Sequence, residues 1–129
     1  MPDRIDDPTI NGSEVLWRAV HPTQLTRDES SGNWRPTSGA FRDSDSEMSV
    51  DLASLTDLNS FRARNPARSV ARFRVSVVRA MGKIVVRDPI EGNPAHALVC
   101  PKLTAGQARS ISTLEDIWAF LIPPSDLPS

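Results

Sequence analysis

The chain has 129 residues, with 15 Lys or Arg against 16 Asp or Glu, a net charge of −1 and 39% hydrophobic residues. That length fits one domain, able to bury roughly two-thirds of its unfolded surface, and the near-neutral charge argues against a general nucleic-acid coat, which carries a net basic footprint. The single Cys100 forbids an internal disulfide, no apolar run approaches the ~18 residues of a membrane span, and residues 1–7 lack the basic start and apolar stretch of a secretory signal; a cytoplasmic, bacterial-type protein is expected.

Residues 1–13 are polar and read as a flexible N-terminal tail, residues 14–122 as a single domain and residues 123–129 as a C-terminal tail. The apolar content of Val15–Val20 predicts a strand, ended by Pro22, which has no N–H for a ladder bond. Residues 26–39 form a long polar loop, a kind that is functional or disordered in compact domains. Trp34 in its middle needs somewhere to bury its ring. Residues 40–42 are a short extended piece and 43–47 an acidic turn. Met48–Leu52 alternates apolar and polar positions, the period of a half-buried strand.

Thr56 as N-cap, Asp57 in the first turn, and Leu58 with Phe61 on one face predict a helix stopped by Asn65-Pro66. Residues 69–82 carry two periods: Val70, Phe73, Val77 and Met81 at helical spacing, Ala71, Phe73, Val75 and Val77 at strand spacing. A strand over 70–73 running into a short helix over 75–81, closed by Gly82, reconciles them. Residues 83–88 are a β-branched strand, 89–94 a turn containing Gly92 and Asn93, and 95–99 the next strand. Thr104 with Gln107, and Ser112 with Glu115, read as capping boxes. Either one helix spans 104–121 or two short helices meet near Ser112, with Leu114, Ile117, Trp118 and Leu121 as the apolar stripe. The expected fold is α+β: a small, mostly antiparallel sheet of four to six strands with two or three helices packed on one side.

The two histidines are the residues best suited to move protons near neutral pH. His21 and His96 each stand at the edge of an apolar run beside a turn. Ser38, Ser49 and Ser54 offer hydroxyls to such a base, although no Gly-x-Ser-x-Gly elbow is present. His21, Asp51 and His96 have no metal-site spacing, and no cofactor motif appears, so no metal and no cofactor are expected. Arg18 and Arg35, whose planar forks suit phosphate or carboxylate, combine with His21, Ser38 and His96 into a candidate anion pocket. Arg62, Arg64, Arg68, Arg72, Arg74, Arg79 and Lys83 follow one another with no acid between them, the sharpest charge asymmetry in the chain. Cys100, inside an apolar run, reads as a structural thiol. Trp118 reads as core, and Trp34 as the aromatic most suited to touching a partner.

Leu16-Trp17-Arg18-Ala19-Val20-His21-Pro22, Ser38-Gly39-Ala40-Phe41-Arg42-Asp43, Met48-Ser49-Val50-Asp51 and Asn93-Pro94-Ala95-His96-Ala97 occur in this order. In that order the chain resembles a group of small uncharacterised bacterial proteins, over roughly residues 15–121; the resemblance implies no activity. A weaker likeness is to ADP-ribosyltransferase-type folds, which place an Arg or His on an early strand and a Ser on a following one, as Arg18 or His21 and Ser49 stand here. The chain departs from them in being short and in lacking a late Glu after a suitable strand. The leading expectation is a binding or accessory module that engages a protein or nucleic-acid partner through residues 62–83, including Arg72 and Arg74, and the Trp34 loop, with no membrane contact. The alternative is an enzyme acting on a nucleotide or phosphate-bearing substrate with His21 and His96 in its site.

Overall fold

The computed structural model of the chain describes residues 4–43 and 46–123. In chain order the elements are β1 (Val15–Val20), β2 (Leu25–Arg27), β3 (Trp34–Pro36), β4 (Met48–Leu52), α1 (Leu58–Arg64), β5 (Ser69–Arg74), α2 (Val75–Ala80), β6 (Ile84–Arg87), β7 (His96–Cys100), α3 (Ala105–Ser112) and β8 (Trp118–Phe120). Short 3-10 turns occupy Pro22–Gln24, Ser38–Phe41 and Ala53–Leu55. Six strands form one sheet in the order β6-β7-β4-β1-β5-β8. Every pair in it is antiparallel, while β2 and β3 form a separate hairpin. This is the α+β architecture that the alternating patterns imply.

Side chains alternate across a strand, so register decides which residues share a face. Leu16 stands between Leu52 and Phe73, and all three are buried. Met48, Val50, Val85, Ala97 and Val99 continue this face into the core. Val75 and Val78 of α2 and Ala108 and Ile111 of α3 cover it, so two of the three helices share one side. Each fully buried Leu, Val or Phe contributes about 1.5–3 kcal/mol. The row one residue along is Arg72, Trp17, Asp51 and His96, and it belongs to the opposite face. There α1 docks by Phe61, whose ring meets Trp17 edge-on at 5.7 Å.

The strand-to-helix switch at Arg74 takes place where it is expected, and residues 12–14 explain it. The Val75 N–H donates to the Glu14 carbonyl and the Ser76 N–H to the Gly12 carbonyl, which satisfies two of the donors that open a helix. Gly82, at φ 82°, closes α2. Asp57 caps α1, accepting from the Ser60 N–H at 2.8 Å. The expected cap, Thr56, instead accepts from Arg64.

Other expectations change, first at residues 40–42, where Ala40 and Phe41 end a 3-10 turn in place of an extended piece. Residues 26–39 are not a structureless loop: β2 and β3 pair from Leu25↔Pro36 to Arg27↔Trp34, turning at Gly32 with φ 73°. Residues 104–121 are neither one helix nor two. α3 ends at Ser112, and Trp118–Phe120 adds to β5 as a strand, the Arg72 N–H donating to the Ile117 carbonyl. Leu114, Ile117 and Trp118 reach the core from that extended path, and the open edge of β5 supplies hydrogen bonds that a surface helix would not. Finally, residues 4–13 are packed rather than free. Ile10 is buried in the core. Asp7 N–H donates to the Val85 carbonyl, and the Asp6 carboxylate accepts from the Val85 N–H. Asp6 and Asp7 also pair with Arg79 and Arg87. Residues 1–3 of the expected first tail, 44–45 of the acidic turn and 124–129 of the second tail lie outside the described residues.

Candidate functional site

A cleft of about 940 Å³ opens on the sheet face opposite the core. Its floor is Trp17, Ala19, Ser49, Asp51 and His96; α1 and the residues after it contribute Phe61, Arg64, Asn65 and Arg68. His21, Thr23 and Gln24 close one end, and residues 90–93 stand beside His96. The strand registers order these groups. Trp17, Asp51 and His96 form one row, and Ser49 lies on the next row of the same face. The β1–β5 pairing ends at Val20↔Ser69, and His21 and Arg68 are the residues just beyond that last pair.

The two imidazoles are held in opposite senses. His96 Nδ1 lies 2.9 Å from the Asp88 carbonyl oxygen and 3.1 Å from its carboxylate. Both neighbours only accept, so in the neutral ring Nδ1 carries the proton and Nε2 the lone pair. His21 Nδ1 accepts from the Thr23 N–H at 3.1 Å, capping the Pro22–Gln24 turn, and lies 2.8 Å from the Thr23 hydroxyl, which can donate to it as well. A neutral His21 therefore carries its proton on Nε2 and donates from there. Neither Nε2 has a hydrogen-bond partner among the described residues. At about 3.3 Å per residue along a strand and 4.8 Å between strands, the two histidine backbones stand on the order of 15 Å apart. They stand at two ends of one cleft.

Asp51, buried on β4, joins the walls. It accepts from Arg64 at 2.8 Å and from Asn93 Nδ2 at 2.9 Å, linking α1 to the turn that precedes β7. Arg64 uses Nη2 for both Asp51 and Thr56.

Of the other sequence candidates, Arg18 borders the cleft but its guanidinium is engaged by neighbouring elements, and the rest lie elsewhere. The Arg18 guanidinium donates to the carbonyls of Ala40 and Ser49 and lies 3.5 Å from Asp43. Burial pushes its pKa down from the ordinary arginine value, and Asp43 partly offsets this. It is a clamp between elements rather than a free anion receptor. Ser38 sits in a 3-10 turn away from the cleft lining. Trp34 and Arg35 line a second groove of about 910 Å³ between the β2–β3 hairpin and β8. There Arg27 lies 4.8 Å over the Trp34 ring, and the Trp118 indole N–H donates to the Trp34 carbonyl. Cys100 donates to Glu47, and burial together with that carboxylate pushes its thiol up to about 12.

Six of the seven cations of residues 62–83 have partners within the chain. Arg62 stacks on Phe120, Arg64 pairs with Asp51 and Arg72 donates to the Asp116 carbonyl. Arg74 donates to the Ser13 carbonyl, Arg79 pairs with Asp6, and Lys83 donates to the Lys102 carbonyl. Among the described residues Arg68 alone of the seven has no such partner, and it faces the cleft.

The sequence reading missed Asp88. The signal was present: strands over 83–88 and 95–99 joined by a turn must pair, and that pairing sets Asp88 against His96, the Asp88 N–H donating to the His96 carbonyl. Among the described residues no group of three or more His, Cys, Asp or Glu is placed to hold a metal, and no helix is long and apolar enough to cross a membrane. No protein-family model, curated protein or solved structure matches this chain.

Proposed function

We propose that the chain is a small enzyme that performs proton transfer on a polar substrate bound in the 940 Å³ cleft, with His96 as the general base. The observation that carries this reading is the hold of Asp88 on His96 Nδ1, at 3.1 Å from the carboxylate. It fixes the ring and its tautomer, leaves the Nε2 lone pair for substrate, and stabilises the imidazolium that forms when Nε2 takes a proton. Ser49, with an exposed hydroxyl on the next row of the same face, is a second polar handle for the bound molecule. The dispersal of the 62–83 cations onto intramolecular partners favours this reading over a basic partner-binding surface.

The test is turnover of p-nitrophenyl acetate and p-nitrophenyl phosphate by the full chain. His96→Gln lowers the rate by roughly 10²–10⁴-fold, the usual contribution of a general base, and Asp88→Asn lowers it by a smaller factor, with the fold retained. Rates that survive His96→Gln in a folded protein overturn the assignment of the base. Turnover of neither ester overturns the catalytic reading and returns the cleft to a purely binding role.

A further inference from the structure

We infer that His21 and Arg68 form an anion seat at the end of the cleft away from His96, and that the substrate is an elongated phosphate monoester. Only its orientation, with the reacting group at His96, rests on the proposed catalytic role of that residue.

The argument begins with Arg68. The other cations of residues 62–83 are spent on carboxylates, carbonyls or an aromatic ring, whereas Arg68 lines the cleft with no partner among the described residues. It is half-buried, so its charge is only partly solvated there, and an anion would compensate it. Arg68 directly precedes Ser69, whose β1 partner Val20 directly precedes His21, and both Arg68 and His21 line the cleft. Because Nδ1 of His21 accepts from Thr23, its Nε2 is a donor. The seat thus offers a guanidinium fork and an imidazole N–H, both donors, which suits an oxyanion with several acceptor oxygens.

Charge within the cleft is segregated in the same direction. Its lining carboxylates are Asp51 and Glu91. Asp51 stands in the row of His96, and Glu91 lies in the turn between β6 and β7, so both belong to the base end. Asp51 is moreover held by Arg64 and Asn93. With Asp51 neutralised by Arg64, Glu91 is the unpaired carboxylate of the lining and Arg68 its unpartnered cation among the described residues; their places at opposite ends set the direction of a long substrate. The backbone separation of the two ends, on the order of 15 Å by strand geometry, calls for a molecule with several bonds between its phosphate and the group that meets His96.

The experiment follows the imidazole ¹⁵N resonances of the full chain during titration with inorganic phosphate, acetate and AMP. Phosphate is expected to shift the His21 ring and leave the His96 ring in place; AMP is expected to shift both. Arg68→Gln, at a position with no structural partner to lose, should weaken phosphate binding about tenfold or more, the scale of one charged hydrogen bond, and His21→Gln should do the same. His96→Gln should bind phosphate as the parent does, so failure of the seat and failure of the catalytic reading are separately visible. The seat is overturned if phosphate leaves His21 unmoved or binds Arg68→Gln undiminished. Acetate binding as tight as phosphate overturns the substrate class, and AMP shifting His21 alone overturns the elongated orientation.

Discussion

On β4, Met48, Val50 and Leu52 face the dry core while Ser49 and Asp51 face the cleft; on β1, Leu16 and Val20 face the core while Trp17 and Ala19 face the cleft. The same backbone supports both surfaces, one residue out of phase. The core face is closed over by α2 and α3, and its members are apolar and buried, with Arg18, Ser69 and Arg87 as exceptions. The cleft face has one short helix, α1, along its margin, so polar side chains there stay wet or find specific partners. Stability and chemistry are thereby separated at single-residue resolution, and substitutions at adjacent positions of one strand should fail in different ways.

The sharpest test is Leu16→Ala, on the core face. It removes a side chain buried between Leu52 and Phe73 and should cost about 2–5 kcal/mol in urea unfolding, through lost burial and a cavity. Asp51→Ala, on the cleft face, would break the comparison in an informative way. It strands Arg64 and Asn93, and because Arg64 keeps 27% of its side chain exposed, the expected loss is about 2–3 kcal/mol, below that of a wholly buried pair. Asp57→Ala removes the α1 cap and should cost about 1 kcal/mol, felt mainly as fraying of the cleft wall. His96→Gln disturbs the ring's hydrogen bond to Asp88 and should cost about 1 kcal/mol, even where turnover collapses; smallest of all, Ser49→Ala should lie within about 0.5 kcal/mol of the parent.

The β6–β7 edge adds a pH signature. The Cys100 thiol is raised from 9.0 to about 12. A raised acid favours the folded state while it is protonated there. Its contribution is complete below pH 9, declines as pH rises above that value, and is gone once pH passes about 12. Unfolding midpoints measured from pH 8 to 11 should therefore fall more steeply for the parent than for Cys100→Val, and iodoacetamide should label the folded thiol far more slowly than the unfolded one.

Much of the fold is legible in local chemistry. The period switch near Arg74 and the positive-φ glycines at 82 and 92 mark element ends that depend on a few neighbouring residues. The C-terminal region is not legible that way. The spacing of Leu114, Ile117, Trp118 and Leu121 suits a helix, and only the unpaired edge of β5, far away in the sequence, turns the segment into a strand. The site divides similarly. His21, Ser49 and His96 were candidates by residue type, and the strand alternation brings them to one cleft. Arg35 and Ser38 were grouped with them by sequence proximity, yet they belong to a hairpin and a turn outside it. Arg68 was visible only as one charge in a basic run; its isolation appears once the partners of its neighbours are known.

The segment over residues 4–13 has a consequence for how separate molecules meet. It occupies the outer side of β6 by taking the Val85 N–H and carbonyl, beside the apolar cluster of Ile84, Val86 and Leu98. A chain shortened by its first 13 residues would leave those backbone groups open next to apolar side chains, the template on which a second chain adds a strand. Sedimentation of the shortened chain should then become concentration-dependent while the parent's does not, and the polar N-terminal segment would be what keeps one copy from pairing with the next.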